Sequence, residues 1–519
     1  MENDRPDFTT LQSRFLESCD APDYDFKIDS FLLVIFGGTG DLSRRKLLPS
    51  LYHLFKQSEF VKDFSIIGFG RRPFTNDDYR SHVESALREF APDDFDDKGL
   101  REFTRHLFYL RGDVGREESY RNLCSRLSRL SPSNKAHRIF YLAVPPDLVP
   151  VIAERLSRSG LCENIASSRI VVEKPFGRDR ASAALLNNVL LNRFSEKQIF
   201  RIDHYLGKET VQNILFFRFG NSIFEPLWNR SYIDQVQITV AESIGIGHRG
   251  VFYEQAGVVR DIVQNHIMQL LALVAMEPPI GFEADLVRDE KVKLFKTIRP
   301  FDEESIKRSI VFGQYGPGQI GGEDLCGYRE EENVAPDSLT PTFFAGRFYI
   351  DNWRWAGVPF FIRAGKRLPF RYSAIHIRFR QPPLRLFGRT CDIPEPNALV
   401  LSVQPQELVG LRFNVKRPGI GHHPLGTFME FSYEKGFDTK RYPPYERLLI
   451  DCIKGELTLF ARQDGVEAMW SVVDPINAFW EGQSGVGYPN YDSGTWGPPG
   501  AAQLLESIGS EWFQPDIAS

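Results

Sequence analysis

The sequence predicts a protein in two parts: an N-terminal α/β region built on a parallel sheet, and an α+β region with a large, mostly antiparallel sheet. Between residues 31 and 200, short continuous apolar runs alternate with helical patterns. Such runs are typical of parallel strands that helices bury on both faces. After about residue 200, strand-like runs follow one another with turns between most of them, which favours antiparallel pairing.

The parallel sheet is predicted from five apolar runs. Each is short and rich in branched and aromatic residues, as buried strands are. They are FLLVIF (31–36), FSIIGFG (64–70), HLFYL (106–110), RIFYLAV (138–144) and RIVVEKP (169–175). The polar stretch before them predicts a separate N-terminal arm over residues 1–30, so the α/β domain is expected to cover 31–200.

The second domain is expected to cover residues 201–519. It contains a helical pattern from about residue 260 to 276, the most apolar part of the chain. Strand-like runs follow at FFAGRFYI (343–350), VPFFIRA (358–364), AIHIRFR (374–380), ALVLSV (398–403) and LRFNV (411–415). Their close succession predicts one large sheet with helices packed on it.

Charge and hydropathy exclude two classes of protein. The 519 residues include 63 Lys and Arg against 68 Asp and Glu, a net charge of −5, so no chain-wide basic field favours nucleic acid. The apolar stretch 267–276 is interrupted by Gln269 and is too short to cross a bilayer. We therefore expect no nucleic-acid and no membrane partner, and an anionic small ligand would need a local basic pocket.

Cysteine and histidine usage predicts a reducing compartment and no metal. The six cysteines, at positions 19, 124, 162, 326, 391 and 452, form no C-x-x-C pair, so we expect free thiols. The N-terminus lacks the apolar core of a secretory signal, and we expect a cytoplasmic location. The ten histidines are scattered and no H-E-x-x-H occurs, so we expect no metal ion.

A glycine-rich turn stands where a dinucleotide site is expected. The segment FGGTGDL (36–42) directly follows the first predicted strand and opens the first helix. A pyrophosphate needs backbone N–H groups at a helix N-terminus and no side chain in its way, and Gly37 and Gly40 meet both needs. The strict G-x-G-x-x-G pattern is absent, so an ordinary glycine-rich turn is the alternative interpretation.

The charge near this turn favours NADP. The second predicted strand ends at Gly70 and is followed by Arg71 and Arg72. An NAD site carries Asp or Glu there, whereas an arginine suits a 2′-phosphate. Lys46 adds positive charge where it opposes the helix dipole, and a bound phosphate would explain it. A solvated basic turn is the alternative interpretation.

Two later segments carry residues suited to oxidation of an anionic substrate. Hydride removal from a hydroxyl-bearing carbon needs a general base, a group that orients it, and a grip on the anionic tail. In RIDHYLGK (201–208), His204 and Lys208 would share a face if the segment is helical, and with Tyr205 they offer a donor-rich pocket for a phosphate. In RDIVQNH (260–266), His266 is the candidate base.

The carboxylate partner of His266 is expected to come from elsewhere in the chain. On an ideal helix, Asp261 and His266 lie about 140° apart, so Asp261 is a poor direct partner. Asp203 is the better candidate. A structural core histidine and a surface Asp-His pair are the alternatives. Lys174, which ends a buried run before Pro175, is either catalytic or merely solvated.

Several segments together resemble the glucose-6-phosphate dehydrogenase family. They are FGGTGDLSRRKLLPSLY, GFGRR, VVEKPFG, RIDHYLGKE, GVVRDIVQNH, GVPFFIRAGKRLP and SGTWGP, in the family's order from about residue 31 to the C-terminus. RIDHYLGK together with RDxxQNH is specific to the family, whereas the glycine turn alone is not. GGTGDL and SGTWGP look more like bacterial members than animal ones.

The resemblance implies a reaction, a cofactor and an assembly. The family oxidises D-glucose 6-phosphate at C1 to 6-phospho-D-glucono-1,5-lactone with hydride transfer to NADP, the first oxidative step of the pentose phosphate pathway. NADP is thus the implied cofactor, with NAD as a weaker alternative and no metal. A Rossmann-like NADP-binding domain would cover 31–200, and 201–519 would bind substrate and mediate a homodimer or homotetramer.

The resemblance also implies roles for individual residues. His266 resembles the general base, and Asp203 resembles the carboxylate that orients it. The implied substrate contacts are a phosphate grip (His204, Tyr205, Lys208), partners of the sugar hydroxyls (Glu242, Asp261) and further contacts (Lys174, Lys366, Arg371). The implied cofactor contacts are Gly37, Gly38, Thr39, Gly40, Asp41, Leu42, Lys46, Arg71, Asp113 and Lys174. Pro175 would be the family's cis proline.

Two rival functions agree with parts of the chain. Another sugar oxidoreductase with a Glu-Lys-Pro segment would explain residues 31–175 but not His204 with Lys208, and activity on a substrate without phosphate would distinguish it. A non-catalytic NADP-sensing or scaffold protein could use the same fold. It would bind NADP without turnover and would have no reason to keep both Asp203 and His266.

Overall fold

The structure is a computed structural model that describes residues 30–57, 63–131, 136–384, 395–419, 423–433, 442–485 and 487–515. The predicted N-terminal arm, except its last residue, and two of the cysteines, Cys19 and Cys391, lie outside the described residues. The other four cysteines are free thiols. Among the described helices, none is long and apolar enough to cross a membrane.

A six-stranded parallel sheet occupies the N-terminal part of the chain. Its strands are β1 (Phe31–Phe36), β2 (Phe64–Gly70), β3 (Leu107–Arg111), β4 (His137–Leu142), β5 (Ser168–Val172) and β6 (Ile199–Arg201). They run in the order β3-β2-β1-β4-β5-β6 with every pair parallel. The order reverses between β1 and β4, and sheets of this kind bind ligands outside the carboxyl ends of the strands at that point.

The predicted strands of this sheet are confirmed, with one omission. β1 and β2 coincide with the predicted runs, and all six residues of β1 are buried. β3, β4 and β5 overlap their runs with shifted ends, as strand boundaries often do. β6 was not predicted, because three residues are too few to show a pattern. It crosses the predicted domain boundary at residue 200, which stays a prediction.

Helices cover both faces of the parallel sheet, and further helices lie between the strands of the second half of the chain. The α-helices are α1 (Leu48–Lys56), α2 (Asn76–Phe90), α3 (Asp97–Thr104), α4 (Glu117–Leu130), α5 (Val149–Arg158), α6 (Arg180–Leu191), α7 (Glu209–Phe219), α8 (Gly250–Val258), α9 (Met268–Ala275), α10 (Ala284–Phe295), α11 (Glu303–Ser309), α12 (Pro444–Lys454), α13 (Gln463–Glu481) and α14 (Pro499–Glu506). Two π-helical segments precede α1 and α9, namely π1 (Ser43–Leu47) and π2 (Val259–Ile267).

The second sheet has eight strands and confirms the predicted large, mostly antiparallel sheet. These eight strands and four short ones outside the large sheet follow β6 in the described part of the chain. They are β7 (Ile233–Ala241), β8 (Ile310–Gly313), β9 (Tyr315–Gly316), β10 (Gly318–Ile320), β11 (Glu323–Leu325), β12 (Phe343–Phe348), β13 (Phe360–Gly365), β14 (Tyr372–Phe379), β15 (Ala398–Gln404), β16 (Leu408–Lys416), β17 (Pro424–Ser432) and β18 (Tyr491–Asp492). The large sheet runs β17-β16-β15-β14-β7-β13-β12-β8. Only its β7–β13 pair is parallel.

The sequence analysis missed β7, which lies inside the large sheet, although its alternation of polar and apolar residues is typical of a strand. Gln235 and Gln237 interrupt its apolar pattern, yet both are buried. The C-terminal segment covers them: Gln235 Nε2 donates to Ser510 Oγ at 2.5 Å and Gln237 Nε2 to the carbonyl of Glu511 at 2.9 Å. Buried amides need such partners, and nothing local in the sequence announces a partner nearly 300 residues away.

The two predicted domains pack closely together. The apolar stretch predicted as helix is π2 followed by α9, and every residue of α9 is buried. From the C-terminal part, Leu448 and Ile453 of α12 join the core formed by Phe31, Leu51 and their neighbours on the parallel sheet. Helix α12 of the predicted second domain therefore shares a core with the parallel sheet.

Candidate active site

The glycine turn after β1 is held against two neighbouring strands. Gly37 has a φ of +83°, a left-handed conformation that glycine adopts readily. A Cβ at Gly37 would lie 2.2 Å from the carbonyl oxygen of Ala143, and one at Gly38 would lie 2.5 Å from Gly68 Cα. Both glycine N–H groups donate to the carbonyl of Phe69, at 2.9 and 3.2 Å. These two amides are therefore used by the turn, and the helix start must supply the donors for a pyrophosphate.

The other predicted cofactor residues lie mostly along the same edge of the sheet. Thr39, Gly40, Asp41 and Leu42 lead into π1, while Arg71 follows β2 and Asp113 follows β3. Arg71 is exposed, and the side chain of Asp113 accepts a hydrogen bond from Gly115 N at 2.8 Å. This edge fits a dinucleotide, because carboxyl ends of parallel strands meet there. Lys46 instead lines a cavity that faces the second domain.

A short hydrogen bond joins Asp203, which follows β6, to His266 in π2. His266 Nδ1 lies 2.5 Å from Asp203 Oδ1, and both residues are buried. The same oxygen accepts the N–H of Tyr205 at 3.0 Å, which holds the carboxylate in place. The carboxylate partner expected for His266 is therefore Asp203.

The helix that carries His266 differs from the prediction. A π-helix has more residues per turn than an α-helix, because its hydrogen bonds join residues five apart. Asp261 and His266 in π2 therefore lie closer in angle than the about 140° expected for an α-helix. That angle was wrong because the prediction assumed regular α-helical geometry.

Lys174 brings Asp261 and His266 together. Its Nζ lies 2.8 Å from His266 Nε2, 3.1 Å from the Asp261 carbonyl oxygen and 3.6 Å from Asp261 Oδ1. The peptide bond between Lys174 and Pro175 is cis, as expected. Lys174 follows β5 and Asp203 follows the adjacent β6, so neighbouring parallel strands deliver both residues to one point.

The electrostatic setting leaves His266 neutral near pH 7. Burial lowers the pKa of His266, and the Asp203 charge offsets this only in part. Burial alone would raise the pKa of Asp203, but the hydrogen bond to His266, and the attraction of that ring whenever it is protonated, outweigh burial and hold that pKa below its usual range. The ionised carboxylate keeps the ring proton on Nδ1, so Nε2 carries the free lone pair.

A second group of charges continues from Asp261. Lys366 Nζ forms a short hydrogen bond with Glu242 Oε2 and lies 3.6 Å from Asp261 Oδ2. Burial would raise the pKa of Asp261, but the cations of Lys174 and Lys366 outweigh it and lower that pKa. The structure thus brings together four predicted substrate residues, namely Lys174, Asp261, Lys366 and Glu242. Glu242 directly follows β7 and Lys366 directly follows β13.

The predicted phosphate grip contains a residue that the sequence analysis did not assign to it. Lys208 Nζ lies 3.9 Å from the centre of the Tyr205 ring and donates to Gln404 Oε1 at 2.7 Å. Gln404 Nε2 donates to Ser373 Oγ at 2.8 Å, and Tyr205 OH lies 3.2 Å from the same oxygen. Gln404 and Ser373 end two strands of the large sheet and carry no signal of their own in the sequence.

The segment from Asp203 to Lys208 is not helical, contrary to the geometry considered for it. Successive N–H groups of residues 206–208 donate to the carbonyls three residues earlier, and α7 begins only at Glu209. The Asp203 carboxylate also stabilises the first of these tight turns, because it accepts the N–H of Tyr205. His204 still stands near both neighbours, with its ring 4.6 Å from the His266 ring and 5.2 Å from the Tyr205 ring.

Two adjoining cavities open between the parallel sheet and the second domain. One, of about 1220 Å³, is lined by Lys174, Glu242, Asp261 and His266, among others. The other, of about 1370 Å³, is lined by Lys46 and Lys208. His204 and exposed Arg371 line both. A ligand in the first cavity would therefore reach His266 at one end and the basic residues at the other.

The buried residues could also be considered as metal ligands. Asp203, His204 and His266 offer ligand atoms within 4.8 Å of one another. Two of these atoms are already joined by the Asp203–His266 hydrogen bond, which accounts for their closeness. We keep the expectation of a metal-free site for this reason.

The strand order, with its switch point between β1 and β4, and the buried Asp–His pair after the edge strand β6 are typical of a dinucleotide-dependent oxidoreductase. Residues 34–213 match the glucose-6-phosphate dehydrogenase NAD binding domain, and residues 215–513 match the C-terminal domain of the same enzyme. The chain belongs to the glucose-6-phosphate dehydrogenase family of oxidoreductases. The family predicted from its sequence is confirmed.

Individual relatives and solved structures agree with this assignment. Glucose-6-phosphate 1-dehydrogenase of Chlamydia pneumoniae is 44% identical over 492 residues, covering 93% of this chain and 95% of the relative. The Bacillus subtilis (strain 168) enzyme is 42% identical over 484 residues, covering 93% and 98%. The solved structure of the Mycobacterium avium enzyme aligns with a TM-score of 0.80 at 36% identity, covering 94% of this chain and all (100%) of that one.

The charge of Lys208 makes a pH-dependent prediction. Burial lowers its pKa to about 8, and Arg371 acts in the same direction. The free enzyme should therefore lose this cation as pH rises through about 8, and kcat/KM for glucose 6-phosphate should fall with it. Lys208→Arg stays charged, so the fall of kcat/KM above about pH 8 should disappear. Lys208→Ala should raise KM for glucose 6-phosphate about 10- to 100-fold and leave KM for free glucose nearly unchanged. An unchanged pH profile for Lys208→Arg would contradict the assignment.

Proposed function

We propose that the protein oxidises D-glucose 6-phosphate at C1 to 6-phospho-D-glucono-1,5-lactone with NADP. The observation that carries the proposal is the buried Asp203–His266 hydrogen bond, whose ring lines a cavity that also reaches basic residues. The names of the relatives and of the solved complex with glucose 6-phosphate, which has a TM-score of 0.85 at 34% identity, support the substrate.

His266 is the proposed general base. Its Nε2 takes the proton of the C1 hydroxyl, while Asp203 stabilises the imidazolium that forms. Without substrate, the Lys174 ammonium donates to His266 Nε2 at 2.8 Å. When substrate binds, its C1 hydroxyl takes the place of this ammonium as the donor to Nε2. Lys174 keeps its contact with the Asp261 carbonyl and remains beside the reacting carbon. NADP bound at the glycine turn supplies the hydride acceptor.

The remaining predicted residues hold the substrate. Lys208, Tyr205, His204 and Arg371 surround the phosphate, with Gln404 orienting the Lys208 ammonium. The side chains that hold the sugar hydroxyls are those of Glu242, Asp261 and Lys366, which contact one another. The two carboxylates accept hydrogen bonds from the hydroxyls, and the Lys366 ammonium donates one. A sugar oxidoreductase acting on unphosphorylated substrates has no use for the buried Lys208, which argues against that rival.

NADP rather than NAD is the proposed cofactor. Arg71 follows β2 directly and is exposed, without an acid beside it in the strand end GFGRR (68–72). A guanidinium there suits a 2′-phosphate, whereas a ribose hydroxyl calls for a carboxylate. The proposed cofactor contacts are Gly37, Gly38, Thr39, Gly40, Asp41, Leu42, Lys46, Arg71, Asp113 and Lys174. NAD remains the weaker alternative, and a cytoplasmic location agrees with the free thiols.

An exposed apolar face on the edge strand β17 of the large sheet supports a homo-oligomer. Leu425, Met429 and Phe431 lie on one face of β17 and are 48%, 57% and 41% exposed. Val415 of β16 pairs with Leu425 and extends this apolar face. A surface of this kind on an edge strand is covered by a second copy in many assemblies. The face does not distinguish a dimer from a tetramer.

The base assignment predicts the behaviour of His266→Asn. This variant should lose about 10²- to 10⁴-fold in kcat while KM for glucose 6-phosphate changes little, because only the proton acceptor is removed. NADPH absorbance measures the rate. Full turnover by His266→Asn would remove His266 from the base role. If the wild-type protein binds NADP but does not oxidise glucose 6-phosphate, the sensing or scaffold function is favoured instead.

The cofactor assignment predicts the behaviour of Arg71→Ala. NADP affinity should fall about 10- to 100-fold, since one charge-assisted contact is lost, and NAD affinity should change little. Titration of both nucleotides by fluorescence tests this. Equal losses for the two nucleotides would show that Arg71 does not contact the 2′-phosphate.

The assembly assignment predicts the behaviour of Met429→Asp. A charge in the apolar face of β17 should dissociate the oligomer, which sedimentation velocity measures. Ile280→Asp, at a position that is 92% exposed elsewhere, is the matched control and should leave the mass unchanged. An oligomer that survives Met429→Asp would place the interface on another surface.

A further inference from the structure

Arg367, directly after the proposed sugar contact Lys366, has a backbone conformation that most side chains disfavour. Its φ is +54°, and that of Asn333 is +61°. In the described part of the chain, these two are the only residues other than glycine with a positive φ. Asparagine tolerates this left-handed region, whereas a long side chain rarely adopts it. A strained residue of this kind persists only where its surroundings hold it in place.

A buried ion pair holds Arg367. Its Nη2 lies 3.3 Å from Glu331 Oε1, and the two side chains are only 16% and 8% exposed. The same carboxylate oxygen accepts the hydroxyl of Tyr315 at 2.9 Å, which fixes Glu331 from another side. Asn333 lies two residues after Glu331, so the ion pair joins the two segments that contain the left-handed residues. An ion pair at this depth is costly to break, because the remaining charge has no compensation.

The ion pair packs against the segment that follows the other sugar contact, Glu242. A Cβ at Gly245 would lie 2.1 Å from Glu331 Oε1 and 2.8 Å from Arg367 Nε, so only glycine leaves room for the pair. The two backbones are joined at the same place, where Leu368 N donates to the carbonyl of Glu242 at 3.0 Å. The ion pair therefore lies across the two segments that leave β7 and β13.

Lys366 is fixed within the same framework. Its carbonyl accepts the hydroxyl of Tyr491 at 2.8 Å. Its Nζ forms the short hydrogen bond with Glu242 and lies 3.6 Å from Asp261 Oδ2. The left-handed Arg367 turns the chain at this point. Consecutive side chains therefore take different directions, Lys366 towards the two carboxylates of the sugar site and Arg367 towards its ion pair.

We propose that the Arg367–Glu331 ion pair fixes the left-handed turn after β13 and thereby holds the Lys366 ammonium against Glu242 and Asp261. Arg367 and Glu331 are positioning residues, because they act on the sugar only through Lys366. The inference rests on the proposed role of Lys366 in binding the sugar hydroxyls. Without the ion pair the turn relaxes towards an ordinary backbone conformation, and the ammonium loses its place between the two carboxylates.

The test removes either partner of the ion pair. Glu331→Gln keeps the shape of the side chain and removes its charge, so KM for glucose 6-phosphate should rise about tenfold while KM for NADP stays within about twofold. Arg367→Gly should have the same effect, and it should fold because glycine adopts this φ readily. The matched control is Asp351→Asn, which removes a carboxylate from the exposed ion pair with Arg299 and should follow the wild type.

A double-mutant cycle separates positioning from a general effect on stability. Lys366→Gln alone should raise KM for glucose 6-phosphate about 10- to 100-fold, since a charge-assisted hydrogen bond to the sugar is lost. In that background Glu331→Gln should cause no further rise, because the ion pair acts through Lys366. Additive effects, or an unchanged KM in both Glu331→Gln and Arg367→Gly, would overturn the proposal.

Lys366→Gln also separates this inference from the proposed function. If Lys366→Gln leaves KM for glucose 6-phosphate unchanged, Lys366 does not hold the sugar, and both its role and that of the ion pair are refuted. If Lys366→Gln raises KM and Glu331→Gln does not, the role of the ion pair alone is refuted.

Deoxy analogues of glucose 6-phosphate replace the cycle if Lys366→Gln does not fold. One analogue lacks the hydroxyl that Lys366 holds, and for that analogue Glu331→Gln should leave KM at the wild-type value. A KM that Glu331→Gln raises equally for every analogue would show that the ion pair does not act through Lys366.

Discussion

The hydrogen bond between Asp203 and His266 is the constraint around which the rest of the site is arranged. It joins a turn after the last strand of the parallel sheet to a π-helix of the second domain. The bond can form only if the parallel sheet and π2 pack in one relative position, since the last strand of the sheet leads into Asp203 and π2 carries His266. It also decides which ring nitrogen is free, because the ionised carboxylate holds the proton on Nδ1.

Beyond this bond the charged side chains alternate in sign. From the neutral ring of His266 the order of contact is Lys174, Asp261, Lys366 and Glu242. A single buried ion is strongly unfavourable, but each ion here has an opposite charge or a hydrogen bond beside it. The arrangement keeps several ionised groups inside the protein at a point where a polar sugar needs both donors and acceptors.

The large sheet contributes to the site as well as to the scaffold. β7 and β13, its parallel pair, end next to each other and present Glu242 and Lys366. β14 and β15 present Ser373 and Gln404, which set the position of Lys208. The candidate phosphate grip is therefore assembled from the turns after β6 and from strand ends of the large sheet.

The chain alone was enough to predict the parallel sheet, the glycine turn after β1 and the pairing of Asp203 with His266. Each rests on a local pattern, such as the continuous apolar residues of β1, or on a family motif such as RIDHYLGK. Three features were beyond it: the π-helical geometry of 259–267, the burial of Gln235 and Gln237 in β7, and the link from Lys208 to Gln404. The last two depend on residues far apart in the chain, because a distant segment can satisfy a polar group that local pattern would place at the surface.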